Sequence, residues 1–388
     1  MTATTSTQGR QMAIEALRAR QPLTPAMIDR FLVSHEVPIV EGERATFLFR
    51  GDADAVYLRH RIVELPDRLP LRRIDHTDLW FLVIDLPAGS RVEYRLEVEH
   101  DGEQHEIDDP LNPRRASNPF GSNTVCYGAG YEVPDWTHPD PDARPGRLEE
   151  LTVHSQALGG DRRVTLYLPA RFRATARYPL LLVHDGEDYL RFAAGKTVLD
   201  NLVHRLDVAE LVVAFLHPED RLVEYPDHAD HARFLTEELV PHLEDGLPLV
   251  GRPGGRCLMG SSFGAVASLS TAARYPDRYG ALILQSGSFV FTDIGMDHGG
   301  GAVFDPVVEF VNRYRAAPSR VADRAFVSCG AYEPLIVRNR AMVPTFRSTG
   351  MEVRYVEARD GHNWENWRDR LRDALSWVFP GPQWLYYE

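Results

Sequence analysis

At 388 residues the chain exceeds one ordinary domain, and a composition 44% hydrophobic and 26% charged excludes a fibrous or disordered protein. A formal net charge of −13 repels phosphate backbones and anionic lipid, and without a local basic patch it excludes nucleic acid and membrane as partners. The three cysteines, Cys126, Cys257 and Cys329, point to a reducing compartment; residues 1–9 hold no apolar leader core and no run of about 18 apolar residues follows, so a cytoplasmic protein is expected.

Residues 1–36 read as a polar tail followed by short helices: Met12, Ala13, Ala16 and Leu17 share one helical face, and Thr24 is placed to cap a second helix over 25–32. From 37 to 133 the pattern changes to short alternating runs at 45–50, 55–61, 78–86 and 91–100, divided by Gly, Asp and Pro turns, which predicts a β-sandwich. Residues 134–147 gather Pro134, Pro139, Pro141 and Pro145 among aspartates and read as an extended linker. Over 148–388, apolar runs at 164–168, 179–183, 211–215, 256–259 and 281–285 alternate with helical stretches, which implies a mostly parallel sheet covered on both faces.

The motif with most chemistry is Gly260, Ser261, Ser262, Phe263, Gly264, a G-x-S-x-G between an apolar strand and a helical stretch. A serine at so sharp a turn needs neighbours without side chains, and the turn presents Ser262 at the carboxyl edge of the sheet as a nucleophile. The Phe263 amide at the helix N-terminus is placed to donate to a developing oxyanion. The second donor is expected from the loop His184, Asp185, Gly186, Glu187, through amides near Gly186 and Glu187. Ser262 needs a base, and His362 follows the strand-like run 352–357; the acid expected between them is Glu333, after the run 325–329, with Asp360 as the competing carboxylate.

Other features have plainer readings. His298 to Gly301 imitates a lipase oxyanion motif but follows the nucleophile, so a flexible loop is expected there. His228 and His231 are spaced i, i+3 without a third ligand, so a solvated helix face is expected rather than a metal site. Arg221 and Glu224 either pin a loop beside the site or pair at the surface, the latter being the default. Trp364 and Trp367 either line an aromatic pocket or pack a helix.

With these residues in hand, the chain resembles the enterochelin esterase group of the esterase D type α/β-hydrolases. The resembling segments are His184 to Gly186, Arg221 to Tyr225, Gly260 to Gly264, Glu333 with Asn339, and Gly361 to Arg368. In the first half they are Thr46 to Arg50, Thr77 to Trp80, Val92 to Leu96 and Asp109 to Pro113. The resemblance implies an immunoglobulin-like N-terminal sandwich, which in the family covers the substrate pocket, before an α/β-hydrolase domain. It implies hydrolysis of a catecholate siderophore ester in the cytoplasm, with Ser262, Glu333 and His362 as the triad. His184 stands where the family has an apolar residue, and Asn363 where an acidic one is common. A ferric catecholate is anionic, and Arg114, Arg115, Arg338, Arg340 and Arg368 are the candidates to meet it.

The expectation is therefore a serine esterase working through an acyl-enzyme on a small-molecule ester, with no metal or organic cofactor. An acyltransferase using the same triad and a non-enzymatic ligand-binding protein are the alternatives.

Overall fold

The computed structural model describes residues 11–292 and 301–382. The chain divides into two compact units, residues 1–132 with Arg359–Gly361, and residues 133–358 with 362–388. His298, Gly299 and Gly300, read above as a flexible loop, lie outside the described residues.

In the first unit every strand pairing is antiparallel. One sheet runs Ile39–Glu41, Arg44–Arg50, Leu79–Asp85, Arg72–Arg73. The other runs Arg68–Pro70, Ala55–His60, Arg91–His100, Gly121–Tyr127, Arg115–Asn118, with Glu103–Ile107 also on Arg91–His100. Alternation decides which side chains go inside: along Ala55–His60, Val56, Leu58 and His60 are buried. The rings of Phe47 and Tyr94, one from each sheet, meet edge to face at 4.8 Å. The helices Ala13–Arg18 and Pro25–Ser34 bury Ile14, Leu17, Ile28 and Phe31 against Leu48, Leu79 and Phe81. Thr24 caps the second helix by accepting from the Met27 amide at 3.3 Å. Asp109 and Asn112 lock the Asp-Pro-Leu-Asn-Pro turn from inside: the Tyr94 hydroxyl donates to Asp109 at 2.6 Å and receives from Asn112 at 3.0 Å. Arg359–Gly361 counts with this unit because the Arg91 amide donates to the Arg359 carbonyl at 2.8 Å, and the buried Arg91 guanidinium reaches Asp360 at 3.2 Å.

Among the described residues the second unit holds eight strands: β1 (Arg147–Ser155), β2 (Gly160–Leu168), β3 (Leu180–Val183), β4 (Val212–Leu216), β5 (Arg256–Ser261), β6 (Ala281–Gln285), β7 (Arg324–Gly330) and β8 (Glu352–Ala358). Their spatial order is β1-β2-β4-β3-β5-β6-β7-β8. The pairings from β4 through β8 are parallel, whereas β2 is antiparallel to both β1 and β4, so the sheet is mixed rather than uniformly parallel. The period of two explains the unbroken apolar runs. On β3 and β5, Leu180, Leu182 and Leu258 enter one core, while Leu181, Val183, Cys257 and Met259 enter the other. Helices Phe263–Arg274, Asp305–Ala316 and Ile336–Ser348 cover the first face; Gly195–His204 and Leu371–Val378 cover the second. Residues 134–144 lie along helix Gly195–His204, whose Asn201 amide donates to the carbonyls of Trp136 and His138 at 2.8 and 2.7 Å.

Among the described residues no helix is long and apolar enough to cross a membrane.

Candidate active site

Ser262 stands at the junction of β5 and helix Phe263–Arg274 with φ 55° and ψ −120°, a conformation that costs a non-glycine residue energy and persists only because its surroundings enforce it. The enforcing contacts are local: the Ser262 amide donates to the Gln285 carbonyl at 3.0 Å, and the Ser262 carbonyl accepts from Ser288 and Ala265 at 3.1 and 3.2 Å. The flanking glycines are steric requirements, since a Cβ on Gly260 would collide with the Gly264 backbone. On Gly264, a Cβ would lie 3.0 Å from the His184 Cβ.

Glu333 and His362 meet. Glu333, on the turn after β7, is 1% exposed, and its Oε2 is hydrogen-bonded to Nδ1 of His362. Its Oε1 accepts from the Gly330 amide at 2.6 Å, the Ser286 hydroxyl at 2.5 Å and the Cys329 thiol at 3.2 Å. Burial alone would raise this carboxyl, but the His362 imidazole and these donors outweigh it and hold it below the ordinary glutamate value. The Trp367 indole donates to the Ser286 hydroxyl at 2.9 Å and meets the His362 ring edge to face at 5.0 Å. Asp360, the competing carboxylate, is engaged by Arg91 and by the Gly361 amide at 2.7 Å.

The Ser262 hydroxyl is directed elsewhere. Its hydrogen-bond partner is the Ser288 hydroxyl at 3.0 Å, and among the described residues no hydrogen bond joins it to His362.

The loop after β3 carries Asp185 in the left-handed conformation, φ 55°, ahead of the helix Gly186–Phe192. Gly186 is compulsory there, because a Cβ would sit 2.6 Å from the Phe215 carbonyl carbon of β4. Glu187 is exposed, with Arg163 3.9 Å away. Asp185 is buried and takes a bidentate pair from Arg221, Nε at 2.7 Å and Nη2 at 3.0 Å, while its amide donates to the Tyr225 hydroxyl at 3.0 Å. This overturns the surface pairing of Arg221 with Glu224: Arg221 pins the loop, and Glu224 turns inward to accept from the Glu219 amide at 3.0 Å.

The solvated face expected for His231 is also overturned. His231 is 3% exposed, with Nε2 at 3.0 Å from Nε2 of the fully buried His184. The helical register that turns His231 inward was not visible from the i, i+3 spacing to His228. Trp364 is 7% exposed and packs against Tyr189, Phe192 and Trp367, which is the packing alternative. Asn363 caps the helix Trp364–Asp369, accepting from the Asn366 amide at 2.9 Å. Sequence reasoning missed Ser288; Asn339, named above only through the resemblance, accepts from the Gly287 amide at 3.1 Å and donates to its carbonyl at 2.8 Å. No spacing pattern marks either one.

Four of the five arginines considered for an anionic ligand already face carboxylates: Arg114 with Glu36, Arg115 with Asp108, Arg340 with Glu357 and Arg368 with Asp369. Arg338 instead donates to the Phe291 carbonyl and lies over the Phe291 ring at 5.4 Å. The three exposed side chains Asp54, His100 and Asp101 are the one cluster of metal-ligand type among the described residues.

A family model described as putative esterase matches residues 155–378. The iron(III) enterobactin esterase of Escherichia coli O6:H1 is 25% identical over 331 residues, covering 79% of this chain and 80% of that one. The crystal structure of ferric enterobactin esterase from Salmonella typhimurium superposes with a TM-score of 0.71 at 22% identity, over 86% of this chain and 93% of that one. The enterobactin esterase from Shigella flexneri, crystallised in the presence of enterobactin, gives 0.69 at 23% identity, over 86% and 92%. These neighbours share the α/β-hydrolase type of fold.

Proposed function

The chain belongs to the putative esterase family and is a carboxylic ester hydrolase, and from that premise we propose that it hydrolyses ester bonds of a catecholate siderophore through an acyl-enzyme on Ser262. The observation that carries the mechanism is the pairing of His362 with a buried, multiply hydrogen-bonded Glu333 on the same sheet that ends in the strained Ser262 turn. With Nδ1 held by Glu333, the imidazole keeps Nε2 as its free basic nitrogen, so Nε2 takes the proton of Ser262 as the hydroxyl attacks the ester carbonyl. That step requires Ser262 to turn from Ser288 toward His362. The developing oxyanion is received by the Phe263 amide and by amides at Gly186 and Glu187, in a loop that Arg221 and Tyr225 hold through Asp185. The same imidazole returns its proton to the leaving alcohol, and water then releases the acyl group.

The siderophore assignment rests on relatives whose named activity is on iron(III) enterobactin and whose length this chain largely spans. In the same reading, the two antiparallel sheets of the first unit form an immunoglobulin-like sandwich, residues 37–133, ahead of a catalytic domain over 148–388. Three free, buried cysteines fit a cytoplasmic setting. The test is covalent labelling with a fluorophosphonate, followed by peptide mapping. Label on Ser262, and loss of turnover by about 10⁴-fold or more in Ser262→Ala, support the proposal; label elsewhere, or full turnover in the variant, overturns it.

A further inference from the structure

Beneath the Ser262 turn runs a buried polar chain that the hydrolytic mechanism does not use. Its order follows from which atoms can donate. The Met259 carbonyl, an acceptor only, lies 3.1 Å from His184 Nδ1, so that nitrogen carries the hydrogen. The Ser268 hydroxyl donates to the Gly264 carbonyl at 2.9 Å and therefore accepts from the same Nδ1–H at 3.1 Å. Complete burial keeps His184 neutral, pushing its pKa well below the ordinary histidine value, with the neighbouring His231 adding to the effect. A neutral ring protonated at Nδ1 leaves Nε2 as an acceptor, so His231 Nε2, 3.0 Å away, must donate. His231 Nδ1 then faces Glu224 Oε2 at 3.6 Å, both groups less than one-tenth exposed. Were that nitrogen a bare lone pair, it would face the carboxylate in a buried site with no hydrogen-bond partner of its own.

We propose that one proton is held between Glu224 and His231, and that the chain Glu224–His231–His184–Ser268 positions the first turn of the nucleophile helix. His184 is the point of action: its Cβ occupies the space that the missing Cβ of Gly264 leaves open, and the next residue, Asp185, begins the loop pinned by Arg221. Other charges bear on the pair from neighbouring elements. Burial, the largest influence, works against a positive His231 and holds its pKa below the ordinary histidine value, with His228 and Arg162 on the same side; Glu224 favours the positive ring, as does Asp185, which His231 draws toward its ionised form. These are positioning residues, acting through Gly264 and the loop, and their effect on catalysis rests on the reading of Ser262 as nucleophile.

Two measurements test the proposal, and the first does not depend on what Ser262 does. In ¹⁵N-histidine spectra of the full chain near neutral pH, His184 is expected as the Nδ1–H tautomer with His231 protonated at Nε2; His184 protonated at Nε2 instead would overturn the chain. The second compares Glu224→Gln, whose amide N–H donates to His231 Nδ1 without titrating, with Glu224→Leu. Since the shared proton is lost as pH rises, the wild type is expected to show a fall in kcat/KM with rising pH that Glu224→Gln lacks. Glu224→Gln keeps kcat/KM within about threefold at neutral pH, and Glu224→Leu loses about tenfold or fails to fold. The same fall with rising pH in Glu224→Gln, or equal damage by Gln and Leu, would overturn the shared proton. Failure of Ser262 labelling, with the tautomers as expected, would instead count against the function proposed above.

Discussion

Ser288 Oγ lies 3.0 Å from Ser262 Oγ, and the Ser288 amide also donates to the Ser262 carbonyl at 3.1 Å. The proposed nucleophile is therefore held from two sides by a residue outside the proposed triad. When Ser262 turns toward His362, the 3%-exposed Ser288 hydroxyl loses this partner, so the resting bond opposes activation by roughly 1 kcal/mol. Ser288→Ala is expected to speed fluorophosphonate labelling by up to about fivefold. A stopped-flow or gel time course reads it, and a slowed variant would mean that Ser288 assists the attack.

In the proposed mechanism Glu333 links catalysis to acid stability. Its carboxyl lies below the ordinary value of 4.5: burial pulls it upward, but His362, Ser286 and the Gly330 amide prevail. A carboxyl depressed in the folded state stabilises the fold above its unfolded pKa, and that contribution disappears as the pH falls through the folded value. Glu333→Gln should remove this part of the acid slope while cutting kcat by about 10³ to 10⁴-fold, because a neutral amide no longer stabilises the imidazolium. Urea melts between pH 3 and 7, with ester turnover at pH 7, measure both. A variant with unaltered turnover would exclude Glu333 as the acid.

The two glycines of the turn differ in what they tolerate. A methyl on Gly260 would run into the backbone of Gly264, which cannot move without breaking the helix; a methyl on Gly264 meets the His184 Cβ at 3.0 Å, which a shift of a few tenths of an ångström relieves. Gly260→Ala is expected to give no soluble folded protein, whereas Gly264→Ala folds with a lowered melting temperature. Circular dichroism of both variants decides, and equal melting temperatures would contradict the steric account.

The elements that sequence made legible are those written in local pattern. Apolar runs buried on both faces announced β3 to β7, and the glycines around Ser262 announced the turn. The meeting of His362 with Glu333 follows from their order after β8 and β7, since in a parallel sheet successive strands end at one edge and bring distant loops together. Less legible were β1, whose burial is broken by Glu149, Glu150 and His154, and the short strands of the first unit. Of the partners of Asp185, His184 and Ser262, the sequence offered Arg221 only as one of two readings and the other two not at all. Arg221, His231 and Ser288 lie 36, 47 and 26 residues away from them, and only the folded register brings them together.

Substrate charge offers the last test. A ferric catecholate carries several negative charges, and a cation already facing a carboxylate gains little by meeting one more anion. Arg114, Arg115, Arg340 and Arg368 are in that state, whereas Arg338 donates to a carbonyl and shares the Phe291 ring with Arg315, which lies 3.6 Å from its centroid. Two guanidinium groups on the Phe291 ring, in the segment that follows Ser288, leave positive charge uncompensated by any described carboxylate. Arg338→Ala is therefore expected to raise KM for a ferric catecholate ester by about tenfold, the loss of one charge-assisted contact, and to leave hydrolysis of neutral p-nitrophenyl acetate within about twofold. The ferric-substrate effect should shrink as salt rises from 50 to about 500 mM, because screening weakens an exposed charge contact. Equal losses on both substrates would assign Arg338 to holding the Phe291 loop and would remove it from recognition of the anion.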